Sequence, residues 1–129
     1  MKRVYPVVLT QCPDSVLVYV PDFNIDTEGK DFADAIEMAR DAISITAVCI
    51  EDDGAELPVP SDVNEVKVEK GGIVTLVDVD VDDYRQKNDM RSVRRNVTLP
   101  AYLDYAAGKS GINVSAVLQA ALKRELKIS

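Results

Sequence analysis

The chain has 129 residues, 47% of them hydrophobic and 29% charged, with a formal net charge of −7, the composition of a soluble folded protein of one domain or two small ones. No apolar run approaches the roughly 20 residues that cross a bilayer, and no cleavable leader pattern follows Met1, Lys2 and Arg3, so the cytoplasm is the expected compartment. Histidine is absent, which excludes Ser-His-Asp and Cys-His catalysis and the HExxH metalloproteases, while Cys12 and Cys49 match no metal-ligand spacing and read as small buried hydrophobes.

Residues 4–10 (VYPVVLT) and 15–20 (SVLVYV) are rich in β-branched and aromatic side chains and are separated by the turn formers Cys12, Pro13 and Asp14, which predicts a hairpin. Pro21 and Asp22 close the second strand, and residues 23–30 (FNIDTEGK) read as a polar loop. From Asp31 the apolar residues Phe32, Ile36, Ala39, Ile43, Ala47 and Ile50 recur at helical spacing, one face of a helix. Asp31 is its expected N-cap, Asp34 and Glu37 complement the positive end of the helix dipole, and Asp52, Asp53 and Gly54 end it.

Pro58 and Pro60 forbid regular structure. Beyond them, residues 63–69, a Gly71-Gly72 turn and residues 73–81 predict a second hairpin. In its last strand Val77, Val79 and Val81 alternate with Asp78, Asp80 and Asp82, so one face is buried and the other is a row of carboxylates. Such a row has three readings: the wet face of a strand, magnesium ligands of a nuclease, or an acidic surface for a basic partner. The third is preferred.

The net charge conceals two opposite halves. Residues 1–90 hold 8 lysines and arginines against 20 acids, a balance of −12, and residues 91–129 hold 7 against 2, a balance of +5. The sign changes across a polar stretch, residues 82–88, where a domain boundary is expected. An acidic module joined to a basic one suits a chain that binds a basic protein with one half and phosphates with the other. The expected division is a domain over 1–83, a linker over 84–91 and a domain over 92–129.

In the basic module, residues 92–99 (SVRRNVTL) alternate as a strand does, and Pro100 stands at the first turn of a helix that runs to about Lys109 and stops at Ser110 and Gly111. Asn113 caps a second helix with an apolar stripe of Val114, Val117, Leu118, Ala121, Leu122 and Leu126. One strand and two short helices bury too little surface to stand alone. The physical solution is a homodimer in which two strands pair into a ribbon over four helices. The exposed ribbon face carries Arg94, Asn96 and Thr98, residue types that read base edges in the major groove of double-stranded DNA. The helix start at Asn113, Val114 and Ser115 offers backbone N–H groups to phosphates. The plainer reading is that Arg94 and Asn96 merely solubilise an edge strand.

This module resembles the ribbon-helix-helix DNA-binding domain over its whole length: the basic alternating strand, Leu99-Pro100 at the strand-to-helix step, and Gly111-Ile112-Asn113-Val114-Ser115 between the helices. The rest of the chain is similar to HicB antitoxins, with Tyr5-Pro6 in the first strand, Val20-Pro21-Asp22 after the second, Ala35-Ile36 to Ala42 in the acidic helix, and Glu51-Asp52-Asp53-Gly54 followed by Leu57-Pro58-Val59-Pro60-Ser61. One departure is Phe23-Asn24-Ile25-Asp26, where the family often has Leu-Pro-Gly.

The resemblance implies an α+β chain with a partial RNase H-like N-terminal fold and a ribbon-helix-helix tail. It implies an inhibitor rather than an enzyme, with no catalytic residue, metal or cofactor. Its partners would be a HicA-like mRNA endoribonuclease toxin and its own operator DNA, bound as a homodimer or tetramer, so that one polypeptide neutralises the toxin and represses its synthesis. Asp22 and Phe23, on the loop after the second strand, are the candidate toxin contacts. A stand-alone transcriptional regulator whose N-terminal module senses a small ligand is the alternative.

Overall fold

Tyr5, Val7 and Leu9 alternate with Pro6 and Val8 along the first strand, and all five are buried, a pattern that requires cover on both faces. The computed structural model, which describes residues 2–128, shows how that cover is made. Met1 and Ser129, the outer ends of the two expected domains, lie outside the described residues. Strand β1 (Lys2–Gln11) is central to a four-stranded antiparallel sheet, flanked by β2 (Val16–Val20) and β4 (Gly72–Asp80), while β3 (Ile25–Gly29) forms the far edge beside β2. Helix α1 (Phe32–Asp52) lies on one face, where Ala35, Ala39 and Ile43 meet Tyr5, Val7, Leu9, Val16, Val18, Val20, Val77 and Val79.

The other face is closed in part by the irregular segment after α1. The side chains of Val8 and Val68 both come close to Gly72 there. The Tyr5 hydroxyl donates to the Pro58 carbonyl at 2.8 Å, which ties the start of this segment to β1. Pro6 survives in a central strand because pairing with β2 begins only at Val8, so its missing N–H costs no ladder bond on that side.

Local chemistry explains the helix ends. Asp31 accepts from the Asp34 N–H at 2.8 Å while the Asp34 carboxylate accepts from the Lys30 N–H at 2.8 Å, a reciprocal cap. Gly29 is required by close approach: a Cβ there would lie 2.4 Å from the Ala35 nitrogen. Buried Ser44 is satisfied by donating to the Arg40 carbonyl at 2.7 Å.

The first hairpin and α1 follow the expectation closely, and four other readings are corrected. Residues 25–29 form β3, not a loop: Ile25, Thr27 and Gly29 point inward while Asp26 and Glu28 face solvent, so an edge strand's wet positions gave it a loop-like composition. Residues 63–69 do not pair with β4. Val63–Glu65 is a short 3-10 turn capped by Asp62, and β4 joins β1 over nine register positions instead, because only that pairing places Val77 and Val79 over the core. Residues 81–87, expected at a boundary and partly in a linker, form helix α2 (Val81–Lys87). Cys49 is exposed and Cys12 half-buried, both as free thiols.

The chain divides into two compact units, the first ending at Met90 and the second beginning at Arg91. The second contains α3 (Ala101–Ser110) and α4 (Val114–Leu126). Residues 91–100 before them carry no regular secondary structure in the single chain. Gly111 ends α3 in the left-handed region at φ 66°, as a helix C-terminus favours. No described residue of this unit is buried.

Candidate interaction surfaces

The second unit is an apolar stripe without a core. Leu103 on α3 and Val117, Leu118, Leu122 and Leu126 on α4 are all substantially exposed, although the spacing of the α4 residues is that of a buried helix face. Two helices of 10 and 13 residues gain too little from backbone bonding to persist in water without packing. Residues 92–96 and α4 together border an open groove of about 840 Å3 whose apolar wall includes Val93, Leu118 and Leu122.

Arg94 and Asn96 border that groove with Ser115 and Gln119 of α4, and Thr98 lies further along the same exposed segment. Asn113 caps α4, its side chain accepting from the Ala116 N–H at 3.1 Å. Val114 and Ser115 follow it in the first turn, where a helix leaves its N–H groups without intrahelical partners. The structure thus brings Arg94, Asn96 and Ser115 to one groove and leaves Thr98 apart from it.

The acids of the first unit divide into engaged and open ones. Asp78 forms an ion pair with Arg40 of α1 at 3.0 Å and a longer one with Lys2 at 3.7 Å, and Arg40 also donates to the Asp78 carbonyl at 3.0 Å. The Arg40 hydrogen bond holds the Asp78 carboxyl below the usual carboxylate range. Asp80 is lowered too, first by the backbone N–H of Asp83 that it accepts as cap of α2. Asp82 belongs to α2 rather than to the strand, so the expected row of three carboxylates is broken. Among the described residues, no group of three or more metal-ligating side chains converges.

Helix α2 is locally determined. Asp80 caps it, Asp82 and Asp83 occupy its first turn, Arg85 and Lys87 its last, and Lys87 pairs with Asp83 at 2.9 Å. Arg85 ties it to the end of α1, reaching Asp52 at 2.9 Å and Glu51 at 3.4 Å. Burial, and secondarily Asp41, pushes the Tyr84 hydroxyl up. The capping and charge order of α2 were readable signals, whereas Arg40 and Arg85 act across 38 and 33 positions of sequence and left none.

Asp22 and Phe23 are committed within the unit. The Asp22 carboxylate accepts from the Ser61 N–H at 3.0 Å and from the Ser61 hydroxyl, pinning the segment after the Pro58-Pro60 pair to the β2 end. The Phe23 ring stands edge-on to Tyr5 with centroids 4.8 Å apart and packs against the core.

Comparison with known proteins gives a consistent set. The family described as HicB-like antitoxin of bacterial toxin-antitoxin system matches residues 5–121. A toxin-antitoxin complex from Streptococcus pneumoniae contains a chain with 22% identity and a TM-score of 0.62, the alignment covering 97% of this chain and 99% of that one. The antitoxin HicB3 crystal structure has 27% identity and a TM-score of 0.54 over 98% and 99%. A HicA3 and HicB3 toxin-antitoxin complex has 25% identity and a TM-score of 0.51 over 60% of this chain and 99% of that one. No curated protein sequence matches closely enough to count as a relative.

Proposed function

The chain belongs to the HicB-like antitoxin family, and from that premise we propose that it binds and occludes a HicA-like mRNA endoribonuclease in the cytoplasm and represses its own operon through operator DNA. The family match over residues 5–121 carries the reading. The division of labour is supported by charge: the −12 region attracts a cationic RNA-binding enzyme, and the +5 region tolerates phosphates. The partner class is supported by the solved relative that is a HicA3 and HicB3 complex.

The residues before the boundary form the neutralising domain, read as a partial RNase H-like fold on the strength of an antiparallel sheet with one long helix on a face. Inhibition needs a complementary surface and no chemistry, so this chain acts without turnover. The residues from about 92 onward form a ribbon-helix-helix domain. A second copy would pair its residues 92–99 with those of the first, close the groove beside α4 and bury Leu118 and Leu122. Arg94, Asn96 and Thr98 then face base edges, and the α4 N-termini at Asn113, Val114 and Ser115 take the flanking phosphates. Association of dimers through the first units would give a tetramer.

The test is direct. An equimolar amount of the full chain abolishes RNA cleavage by a HicA-like ribonuclease from the same cell, and the same preparation retards a DNA fragment from upstream of its gene. Undiminished cleavage at saturating chain refutes the neutralising role, and failure to retard the fragment refutes the repressor role.

A further inference from the structure

Helix α1 buries Ala35, Ala39, Ile43 and Ala47 against the sheet. A helix of this kind ordinarily turns a charged face to water. With 3.6 residues per turn, Asp34, Met38, Asp41, Ile45 and Asp52 fall on the side opposite Ile43, and Cys49 lies next to them. This outward stripe alternates acid with apolar. Met38 and Ile45 are 40% and 46% exposed, and Cys49 is also exposed. A lone surface apolar residue requires no explanation, but Met38, Ile45 and Cys49 spaced along one outward face form a strip that water covers at a cost.

Two acids of this strip, Asp34 and Asp41, differ from the third, Asp52, and from the acids beside them. Glu37 is paired with Arg40, and Glu51 and Asp52 with Arg85. Asp41 has no lysine or arginine paired with it among the described residues, and the Asp34 carboxylate accepts the Lys30 N–H at the start of the helix. The strip therefore presents apolar contact flanked by uncompensated negative charge. A second copy of the chain would bring like charges together, which disfavours self-association here. A cationic protein with an apolar centre is the complementary partner.

An enzyme that grips RNA must carry cations where the phosphates lie. Building on the antitoxin reading above, we propose that the outward face of α1 is the docking surface for the cationic RNA-binding face of the ribonuclease. Asp34 and Asp41 engage cations that otherwise hold phosphates, and Met38 and Ile45 supply the apolar hold. Inhibition then follows from occupancy, because the antitoxin covers the groups that the substrate needs. The competing surface is the outward side of the sheet, where Leu17, Tyr19 and Leu76 are exposed. Glu65 and Lys67 border the hollow beside Tyr19 with opposite charges, so that surface offers a basic partner no net attraction.

The experiment uses the full chain and a HicA-like ribonuclease from the same cell, with inhibition of RNA cleavage as the readout. The double variant Met38→Lys with Ile45→Lys is expected to inhibit at least ten-fold less well at unchanged melting temperature and operator binding. Leu17→Lys with Leu76→Lys is expected to inhibit as the wild type does. A footprint on the unmutated chain gives a second measurement: Cys49 alkylation slows at least ten-fold in the complex, while Cys12 reacts at its free rate. If the wild type inhibits but the α1 variant inhibits equally well, or Cys49 stays as reactive in the complex, the docking face is wrong and the antitoxin reading stands. If the wild type itself does not inhibit, both fall together.

Discussion

Tyr5, Ile43 and Val77 in the first unit are almost wholly removed from solvent by residues of the same chain, whereas Leu118, Leu122 and Leu126 in the second have the same helical spacing and remain exposed. The two units have similar kinds of apolar residue. They differ in topology: a four-stranded sheet with a helix on one face encloses a volume, and two short helices preceded by an extended segment do not. Burial of a Leu-sized side chain contributes about 1.5–3 kcal/mol, so the second unit forgoes most of its available stabilisation until another surface covers it. The first unit encloses its own core, and the second leaves its apolar stripe open.

The largest expected effect breaks the second unit alone. Leu122→Asp places a charge on the α4 stripe, and we expect complete loss of dimer and of operator retardation while the thermal transition of the first unit persists. Light scattering and a gel-shift titration check this, and a variant that still dimerises would show that α4 is not the association surface. Ile43→Ala reverses the comparison by opening a cavity under α1. It should lower the stability of the first unit by about 2–5 kcal/mol in urea titration and leave association of the second intact.

A smaller effect separates reading from folding within the second unit. Arg94→Ala and Asn96→Ala are each expected to weaken operator binding by about 1–3 kcal/mol and to relax sequence preference, with no change in oligomeric mass. Equal affinity of both variants for operator and scrambled DNA at wild-type strength would refute base reading by this segment.

The smallest effect concerns pH. The Asp78 carboxyl is held below its ordinary value chiefly by the Arg40 hydrogen bond, so its contribution is fully present above the unfolded carboxylate value, about 3.9. It is lost as pH falls through the lower folded value. Melting of the first unit should therefore decline below about pH 4, and Asp78→Asn should flatten part of that decline. An identical acid profile in the variant would show that the Arg40 tie contributes nothing measurable, as exposed ion pairs often do.

Much of this molecule was legible before any coordinates. The steps from Phe32 to Ile50 identify α1, Asp31 and Asn113 identify two helix caps, Gly111 marks the end of α3, and the change of charge signals a second unit, although the boundary falls after Met90 rather than within residues 82–88. These signals are local or additive, so a linear reading captures them: capping involves residues three apart, a helix stripe repeats every three or four, and charge simply sums.

Pairing partners were a different matter. The Val-rich residues 63–69 have the local character of a strand and lose the place beside β4 to β1, because the choice depends on which pairing puts Val77 and Val79 over a helix contributed from elsewhere in the chain. Residues 25–29 look like a loop until β2 supplies a ladder for them. Phe23 and Asp22 look like a free loop until Tyr5 and Ser61 engage them, which leaves both half-buried. The sequence by itself determined helices α1, α3 and α4, their ends, the charge division and the family, because each rests on near neighbours or on composition. Only the tertiary structure decided the strand order, the long-range ties of Arg40 and Arg85, and which apolar residues are left facing water, because each depends on what a distant segment brings alongside.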